Sequence, residues 1–374
     1  MKQKIRYVEK NYSNFTFKGG KWSMKKIQLD ELKRFSIEAL CKAGMSEENA
    51  ETVAEVLITT DMFGVLSHGT KNLYQYILKM QQGGLDVKGE PTVEAEGPAW
   101  AIVNGNASIG MVTSHKAMKL AIEKAKTCGI GYVGVKNSCH FGAAGFYANL
   151  AAKEGMIGLS MSNADPNMAI PNSCDVAIGN NPFSFAAPTK GGKSVFLDIA
   201  LSNVAALKVV MAREKGIQVP DTWLIDSEGK PTTDPSGFPY ESHLQPMAAH
   251  KGYGLAIMIE ILASVITCSG LMSEVPSWNL DLSTRNNAGH AFIAIDISKM
   301  LPKEVYEARI EQMVNELKGA PLAKHADKIL VPGEMEWERF DAAKECGWIE
   351  LTDAMVDNME NLSKLMGIEV TLED

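Results

Sequence analysis

The sequence predicts an α/β protein, and three observations carry that reading. Residues 130–161 run as strand, turn, helix and strand: Ile130, Tyr132, Val133 and Val135 form an apolar alternating run, Ala143 to Glu154 is Ala-rich and helical, and Gly155 to Met161 is a second apolar run. Two further buried strands, Val195 to Ile199 and Ala291 to Asp296, follow later, separated by helical patterns. At 374 residues the chain is also too long for one comfortable core, so two lobes are expected.

Composition narrows the function classes. Apolar residues make up 45% and charged residues 22%, as in ordinary soluble globular proteins, and a net charge of −8 weighs against nucleic-acid or anionic-membrane partners. Small-molecule chemistry is the expectation that remains. The six cysteines, Cys41, Cys128, Cys139, Cys174, Cys268 and Cys346, include no Cys-x-x-Cys, and no signal peptide is visible, which points to a reducing cytoplasm. Neither His-x-His nor His-Glu-x-x-His occurs, so no metal site is expected.

In chain order, residues 1–23 lack an apolar period, and Lys18-Gly19-Gly20 has codons resembling a ribosome-binding site, so translation is expected to start at Met24. Leu29, Leu32, Ile37 and Leu40 then mark a helix ended by Gly44, and Ser46 caps a second one with Glu47 and Glu48 in its first turn. Ser67-His68-Gly69 opens the next helical stretch. Its side chains either point into a cleft from a helix amino terminus or are a capping serine and a surface histidine. Ala101-Ile102-Val103 with Asn104-Gly105 reads as a hairpin at the lobe boundary. Thr113 to Lys126 reads as an amphipathic helix with His115 facing solvent.

Gly129-Ile130-Gly131-Tyr132-Val133-Gly134 matches the dinucleotide pattern G-x-G-x-x-G and is rejected. That pattern needs a strand before it and a helix after it, because the phosphates rest on the helix amino terminus, and here the order is reversed. The turn Ser138-Cys139-His140-Phe141-Gly142 is more informative. It puts His140 at the carboxyl end of a strand, where open α/β sheets place their ligand crevices, and a histidine there suits acid/base work. The plainer reading is a buried histidine satisfied by a backbone carbonyl. The next strand also ends in polar groups, Ser162-Asn163-Ala164-Asp165, that can converge on the same place.

Farther on, Ile178 to Phe183 reads as a loop with special backbone angles, and Asp198 near the end of its strand is suited to ribose hydroxyls or to a backbone partner. Ser202 to Lys215 is expected to be helical and Pro220 to Pro246 a long functional loop. Leu255 to Cys268, apolar all round except for Glu260, is expected to be the central buried helix. Lys251 at its start is a cation where the helix dipole disfavours one, so either an anion binds there or the lysine snorkels. Val305 to Leu317 reads as an amphipathic helix, Val331 to Glu334 as a turn before the helix Met335 to Cys346, and Asp353 to Met366 as a polar helix.

These segments resemble one family along most of the chain, from about Met24 to about Gly347. Asp-x-x-Gly-x-x-Ser-His-Gly at Asp61 to Gly69, Ser-x-His-Phe-Gly at Ser138 to Gly142, Gly-Asn-Asn-Pro-Phe at Gly179 to Phe183, Asp-Ile-Ala at Asp198 to Ala200, His-Lys-Gly-Tyr-Gly-Leu at His250 to Leu255 and Pro-Gly-Glu at Pro332 to Glu334 are similar to the malate/L-lactate dehydrogenase family of NAD(P)-dependent oxidoreductases, in the family's order. The resemblance implies a mixed-sheet nucleotide-binding and dimerisation lobe without G-x-G-x-x-G, a non-standard Rossmann arrangement, over 96–299. It also implies a helical lobe built from both chain ends, 24–95 completed by 300–374, and a homodimer. The cofactor implied is NAD or NADP, and the substrate a small 2-hydroxy or 2-keto acid. A cyclic ketimine reductase or a non-catalytic dinucleotide-binding protein on the same scaffold is the alternative.

Residue by residue, the resemblance makes His140 the acid/base with Asp165 to orient it. It brings Ser67 and His68 into the same cleft, with His68 the rival for proton transfer. Ser138, Lys71 and Asn72 become substrate contacts, and Asn163, Asp198, Ile199, Ala200, Lys251, Gly333 and Glu334 cofactor contacts. Asn72 and Phe63 stand where the family usually has arginines suited to gripping a carboxylate bidentately.

Overall fold

The computed structural model describes residues 25–374, and the expected leader and start at Met24 lie outside the described residues. After strand β1 (Lys26–Gln28), helices α1 (Leu29–Lys42) and α2 (Glu47–Met62) form a hairpin. Gly44 takes φ +103° where α1 ends, and the Ser46 hydroxyl accepts the Asn49 N–H at 3.4 Å to cap α2. A 3₁₀ turn at Thr70–Asn72 leads into α3 (Leu73–Gln81).

Strands β2 (Thr92–Gly97) and β3 (Trp100–Asn104) make a hairpin that turns at Pro98-Ala99, not at Asn104-Gly105. The reason lies in the next pairing. Strand β3 runs parallel to β4 (Ile130–Ser138), which demands a crossover, and Asn104-Gly105 starts that crossover through α4 (Gly110–Cys128). Gly129 at φ +84° closes α4 before a strand, so the rejected glycine pattern lies along β4 and offers no helix amino terminus. Helix α5 (Ala144–Lys153) and β5 (Met156–Ser162) complete the expected unit.

The chain continues through β6 (Met168–Ala169), β7 (Val176–Ile178), β8 (Phe183–Ala187), β9 (Val195–Ile199) and α6 (Ala206–Glu214). Next come β10 (Leu224–Ile225), β11 (Pro231–Thr232), β12 (His243–Leu244) and α7 (His250–Glu260), which runs into a π-helical turn at Ile261–Val265. Strand β13 (Ala288–Asp296), α8 (Lys303–Lys318), α9 (Glu334–Cys346), β14 (Trp348–Glu350) and α10 (Asp353–Met366) finish it.

A mixed seven-stranded sheet in the order β2-β3-β4-β13-β5-β8-β9 forms the centre. Strand β13 lies antiparallel between β4 and β5, so those two run the same way with a late segment wedged between them. Alternation sends Phe292 and Ala294 to one face and Ala291 and Ile293 to the other, and both faces are covered. On one face a continuous apolar core joins the sheet to α1–α5 and α10. On the other, a five-stranded sheet in the order β11-β10-β12-β6-β7 packs with α6 and α7. The chain ends meet where β1 pairs antiparallel with β14 and Lys26 bridges to Glu373.

Four expectations need correction. The segment 220–246 is not a bare loop, because two-residue strands too short to show periodicity build most of the second sheet. Residues 202–205 precede α6 instead of opening it. Helix α10 buries Met355, Met359 and Leu362 beneath its polar side. Helix α7 and its π turn are not centrally buried: one side packs on the sheet, while Leu255, Met258, Ile261, Val265 and Ile266 are exposed. Apolar composition all round a helix therefore does not distinguish full burial from one buried and one exposed apolar side.

Candidate active site

The site grows from the end of β4. Asn137 takes φ +53° and Gly142 φ +80°, which bends the chain sharply between strand and helix and turns His140 away from the core that Phe141 enters. Gly110, at the start of α4, lets this turn come close, since a Cβ there would lie 2.1 Å from the Cys139 carbonyl oxygen.

His140 is enclosed by rings. The Trp278 ring lies parallel to it at 4.3 Å and 12°, and His68 stacks at 5.5 Å and 28°. The buried Tyr76 hydroxyl, from α3, hydrogen-bonds His140 Nδ1, and the Gly142 N–H approaches the same nitrogen at 3.4 Å. Nε2 is therefore the nitrogen left to exchange a proton with a ligand. Burial, and then the neighbouring His68 and His290, push the imidazole well below its ordinary range, so it is neutral at pH 7. Burial pushes the Tyr76 phenol well above its usual value, so its hydroxyl stays protonated and can serve Nδ1 as donor or acceptor.

Ser67 and His68 join the cluster. His68 is half-buried, its Nδ1 is 2.8 Å from the Ser67 hydroxyl, and burial followed by Lys71 lowers its proton affinity. The turn bringing it there is clamped by Asp61, whose carboxylate accepts the Thr70 N–H at 2.9 Å and its hydroxyl at 2.5 Å. Gly69 is required beside it, because a Cβ would sit 1.8 Å from Asp61 Oδ1. Burial lifts the Asp61 carboxyl to about 7, and Oδ1 has no hydrogen-bond partner. The surface-histidine reading of His68 is thus set aside, since no Ser67 cap forms on the 3₁₀ turn and the ring stacks on His140.

Asn72 donates to the Ser67 carbonyl at 2.9 Å, which spends part of its amide on the turn. Lys71 is half-buried, and burial lowers its affinity for the proton while Glu214 opposes that. Phe63 stands apart, buried among Phe196, Trp337 and Phe340 at ring distances of 5.1–5.3 Å. Ser138, expected at the substrate, faces the interior. Its hydroxyl is 2.9 Å from Nε2 of the buried His290, whose Nδ1 is 2.8 Å from Ser162. The period-two strand turns Ser138 to the opposite side from Asn137, and burial drops His290 to about 3, so this trio is neutral and structural.

No hydrogen bond joins Asp165 to His140 among the described residues, and Tyr76 holds the ring instead. Asp165 is half-buried, and burial raises its carboxyl against the pull of its own backbone N–H and the Ser277 hydroxyl. Cys139 is buried, donates to Asn286 Oδ1 at 3.1 Å and is pushed by burial to about 11, which removes it as a nucleophile. His115, expected on the surface, is half-buried beside Phe146, and burial followed by Lys119, Lys116 and Lys153 lowers it to about 4.

A second group of residues lies along β9 and at the turns that flank it. Asp198, at the end of β9, accepts the Gly145 N–H of α5 at 2.8 Å, and burial, against that bond and with Glu336 nearby, lifts it to about 6. Ile199 and Ala200 follow, half-buried, and Leu201 is tied to Met247 at 2.7 Å just before α7, where Lys251 is exposed. The other end is the turn at Gly333, φ +92°, seated on Phe196 with a 3.1 Å bond from the Phe196 N–H to the Pro332 carbonyl. Glu334 accepts the Val331 N–H at 3.0 Å and pairs with Lys318. A cavity of about 400 Å³ lies here, lined by residues including Lys190, Ser194, Ile310, Pro332, Glu334 and Trp337. Of the expected cofactor residues, Glu334 alone lines this cavity, whose volume is in the range of small-molecule pockets.

Asn163 is absent from that surface. Its carbonyl accepts the Gly289 N–H at 2.8 Å, and its amide donates to Gly270 at 2.8 Å and to Glu260 at 3.3 Å, so it frames the site from within. Glu260 also accepts from Asn181 and the Met272 N–H, both at 2.9 Å. Sequence reasoning missed Tyr76, Trp278 and His290. Glu260 alone gave a signal, as the one acid in an apolar helix.

A sequence model described as malate/L-lactate dehydrogenase matches residues 27–360. The malate dehydrogenase of Pyrococcus abyssi is 35% identical over 370 residues, covering 97% of this chain and 98% of that protein. The NAD(+)-dependent ureidoglycolate dehydrogenase of Escherichia coli is 34% identical over 310 residues, covering 83% and 88%. The structure of sulfolactate dehydrogenase from Methanocaldococcus jannaschii superposes with a TM-score of 0.86 at 32% identity, covering 92% and 98%.

Proposed function

Because the chain belongs to the malate/L-lactate dehydrogenase family and is an NAD(P)-dependent oxidoreductase acting on CH–OH donors, we propose that it oxidises a small 2-hydroxy acid, or reduces the matching 2-keto acid, with His140 as the acid/base. The observation that carries this is the neutral imidazole of His140, anchored at Nδ1 by Tyr76 and stacked on His68 and Trp278. On oxidation, with the ring proton on Nδ1 and donated to the Tyr76 oxygen, Nε2 takes the hydroxyl proton as the carbon gives up its hydride, and on reduction Nε2 returns that proton to the carbonyl oxygen. Bound nicotinamide supplies the hydride acceptor or donor. Tyr76 fixes the position of Nδ1, and the surrounding aromatic rings exclude water.

Lys71, which feels the charge of Glu214 but makes no ion pair among the described residues, is the proposed anchor for the substrate carboxylate. Lys251, Asp198, Ile199, Ala200, Gly333 and Glu334 are the proposed cofactor contacts, with Asn163 holding the frame behind them. Asp165 is proposed to act on the loop at Ser277. The exposed apolar side of α7 supports a homodimer in which a second copy covers it, and the cysteine usage supports a cytoplasmic location.

The test is reduced-nicotinamide fluorescence with NADH and NADPH separately, followed by 2-keto acids and cyclic imines in the same cuvette. Saturable binding with oxidation by a 2-keto acid is expected. Turnover of cyclic imines alone moves the reaction to C=N reduction, and absence of binding by either nucleotide overturns the reading. His140→Ala should bind cofactor and lose most turnover; if His68→Asn does so instead, the two histidines exchange roles.

A further inference from the structure

Lys79 is a lysine without exposed surface, an uncommon state for that side chain. Among the described residues its ammonium makes no ion pair, although the charge of Asp281 acts on it. It donates to two backbone carbonyls, Asp281 at 2.6 Å and Thr284 at 2.8 Å, in the loop between the π turn and β13. Gln75, four residues earlier on α3, donates to Asn279 of the same loop at 2.6 Å. From the other side, the loop receives the Asn137 N–H on Asn287 at 2.8 Å and the Cys139 thiol on Asn286 at 3.1 Å, both from the β4 end that carries His140. Between these fastenings sits Trp278, parallel to His140 at 4.3 Å and to Tyr76 at 4.9 Å.

We infer that Trp278 is a positioning residue for His140, fixing its ring plane and offering a π face to the charge that develops on the ring, and that Lys79 is the latch keeping the indole there. This rests on the acid/base role proposed above. The stacking supplies what Tyr76 alone does not. A single hydrogen bond to Nδ1 leaves the imidazole free to swing about that contact, whereas a parallel ring resists tilting. As Nε2 takes a proton, the imidazolium lies against the electron-rich indole face. The other titratable groups around the imidazole are His68 and Lys71 from the 68–71 turn, Tyr76 and Lys79 on α3, Cys139 beside it and His290 on β13. Asp165 reaches Ser277, next to the indole, without a hydrogen bond to His140, and among the described residues the charges acting on the ring are those of His68 and His290, which leaves the indole face as the favourable partner for positive charge.

The experiment compares Trp278→Leu, Trp278→Phe and Lys79→Met in the full chain. With a substrate the wild type turns over, the Leu variant should lose at least about tenfold in kcat, with KM and nicotinamide affinity within about twofold. The acid limb of its pH profile should move to lower pH, and Phe should restore most of both. Lys79→Met, which keeps the indole and loosens its loop, should move kcat and the limb the same way by less. A Leu variant with unchanged kcat, a limb moving upward because the indole only excluded water, or Phe no better than Leu overturns the inference. If the wild type turns over nothing, the functional reading fails separately. The His140 ring resonance, assigned by its loss in His140→Gln, then decides: a lower midpoint in Trp278→Leu sustains the stacking role, and an unmoved midpoint refutes it.

Discussion

Replacing Tyr76 by Phe removes one oxygen from the site and leaves the ring packing intact. Tyr76 is fully buried and its hydroxyl has His140 Nδ1 as partner, so in the variant that nitrogen keeps only the Gly142 N–H at 3.4 Å. In the resting protein the lost bond joins two neutral groups, and its removal should lower stability by about 1 kcal/mol. During proton transfer the imidazole carries charge, and a hydrogen bond to a charged group contributes about 1.5–3 kcal/mol. The difference, about 0.5–2 kcal/mol, reaches the barrier as a loss of about 2- to 30-fold in kcat/KM at about 1.4 kcal/mol per tenfold. Steady-state absorbance of the reduced cofactor measures this, with nucleotide fluorescence titration as the binding control. A variant that binds cofactor normally and keeps kcat/KM unchanged from wild type would show that the Tyr76 hydroxyl does not support the charge developing on His140, and the mechanism built on that bond would fall.

Lys71→Ala should raise KM for a carboxylate substrate by about tenfold or more while nucleotide affinity stays put, since a charge-assisted contact is lost; steady-state kinetics with an unchanged KM would remove Lys71 from the substrate. Glu260→Gln keeps the shape but sets an amide against the donors Asn163, Asn181 and Met272, and should cost about 3 kcal/mol in urea unfolding; an unshifted midpoint would mean the buried carboxylate is not the hub. Asp61 is held at about 7 when folded against an ordinary 3.8, so the folded state binds its proton more tightly. Its contribution is fully present below the unfolded value and is lost as pH rises through the folded one, with a slope of at most about 1.4 kcal/mol per pH unit. Asp61→Asn should remove that slope, so the stability gap between wild type and variant should change between about pH 5 and about pH 8, and a constant gap would refute the assignment.

The sequence is informative where one residue must satisfy a local rule. Ser46 caps a helix, Gly129 ends one, and alternating Val133 and Val135 make a strand, so those elements can be written down beforehand. His140 is legible because strand-end position and residue type agree. Tyr76 and Trp278 are not, because their relation to His140 is made by packing across 64 and 138 residues, and nothing local in an amphipathic helix or a polar loop signals it. Ser138 misleads for a different reason. It belongs to the motif that holds the proposed acid/base, yet strand alternation turns its own side chain inward to His290. Helix α7 misleads through composition, since apolarity reports that a surface is covered and does not say by what.

The wedging of β13 between β4 and β5 bears on how the protein comes into being. On the ribosome, the chain through residue 162 holds both flanking strands but leaves a slot, and the segment that fills it emerges more than a hundred residues later. Until then two edges that would template foreign strands stand open, which makes the half-made chain a client for protection against aggregation. Closing so distant a pairing carries a large contact-order penalty and predicts slow refolding. The same event delivers the loop bearing Trp278, because that loop leads directly into β13. A nascent or nicked chain without this segment therefore has no finished catalytic pocket, and turnover would appear only as the last strand goes home.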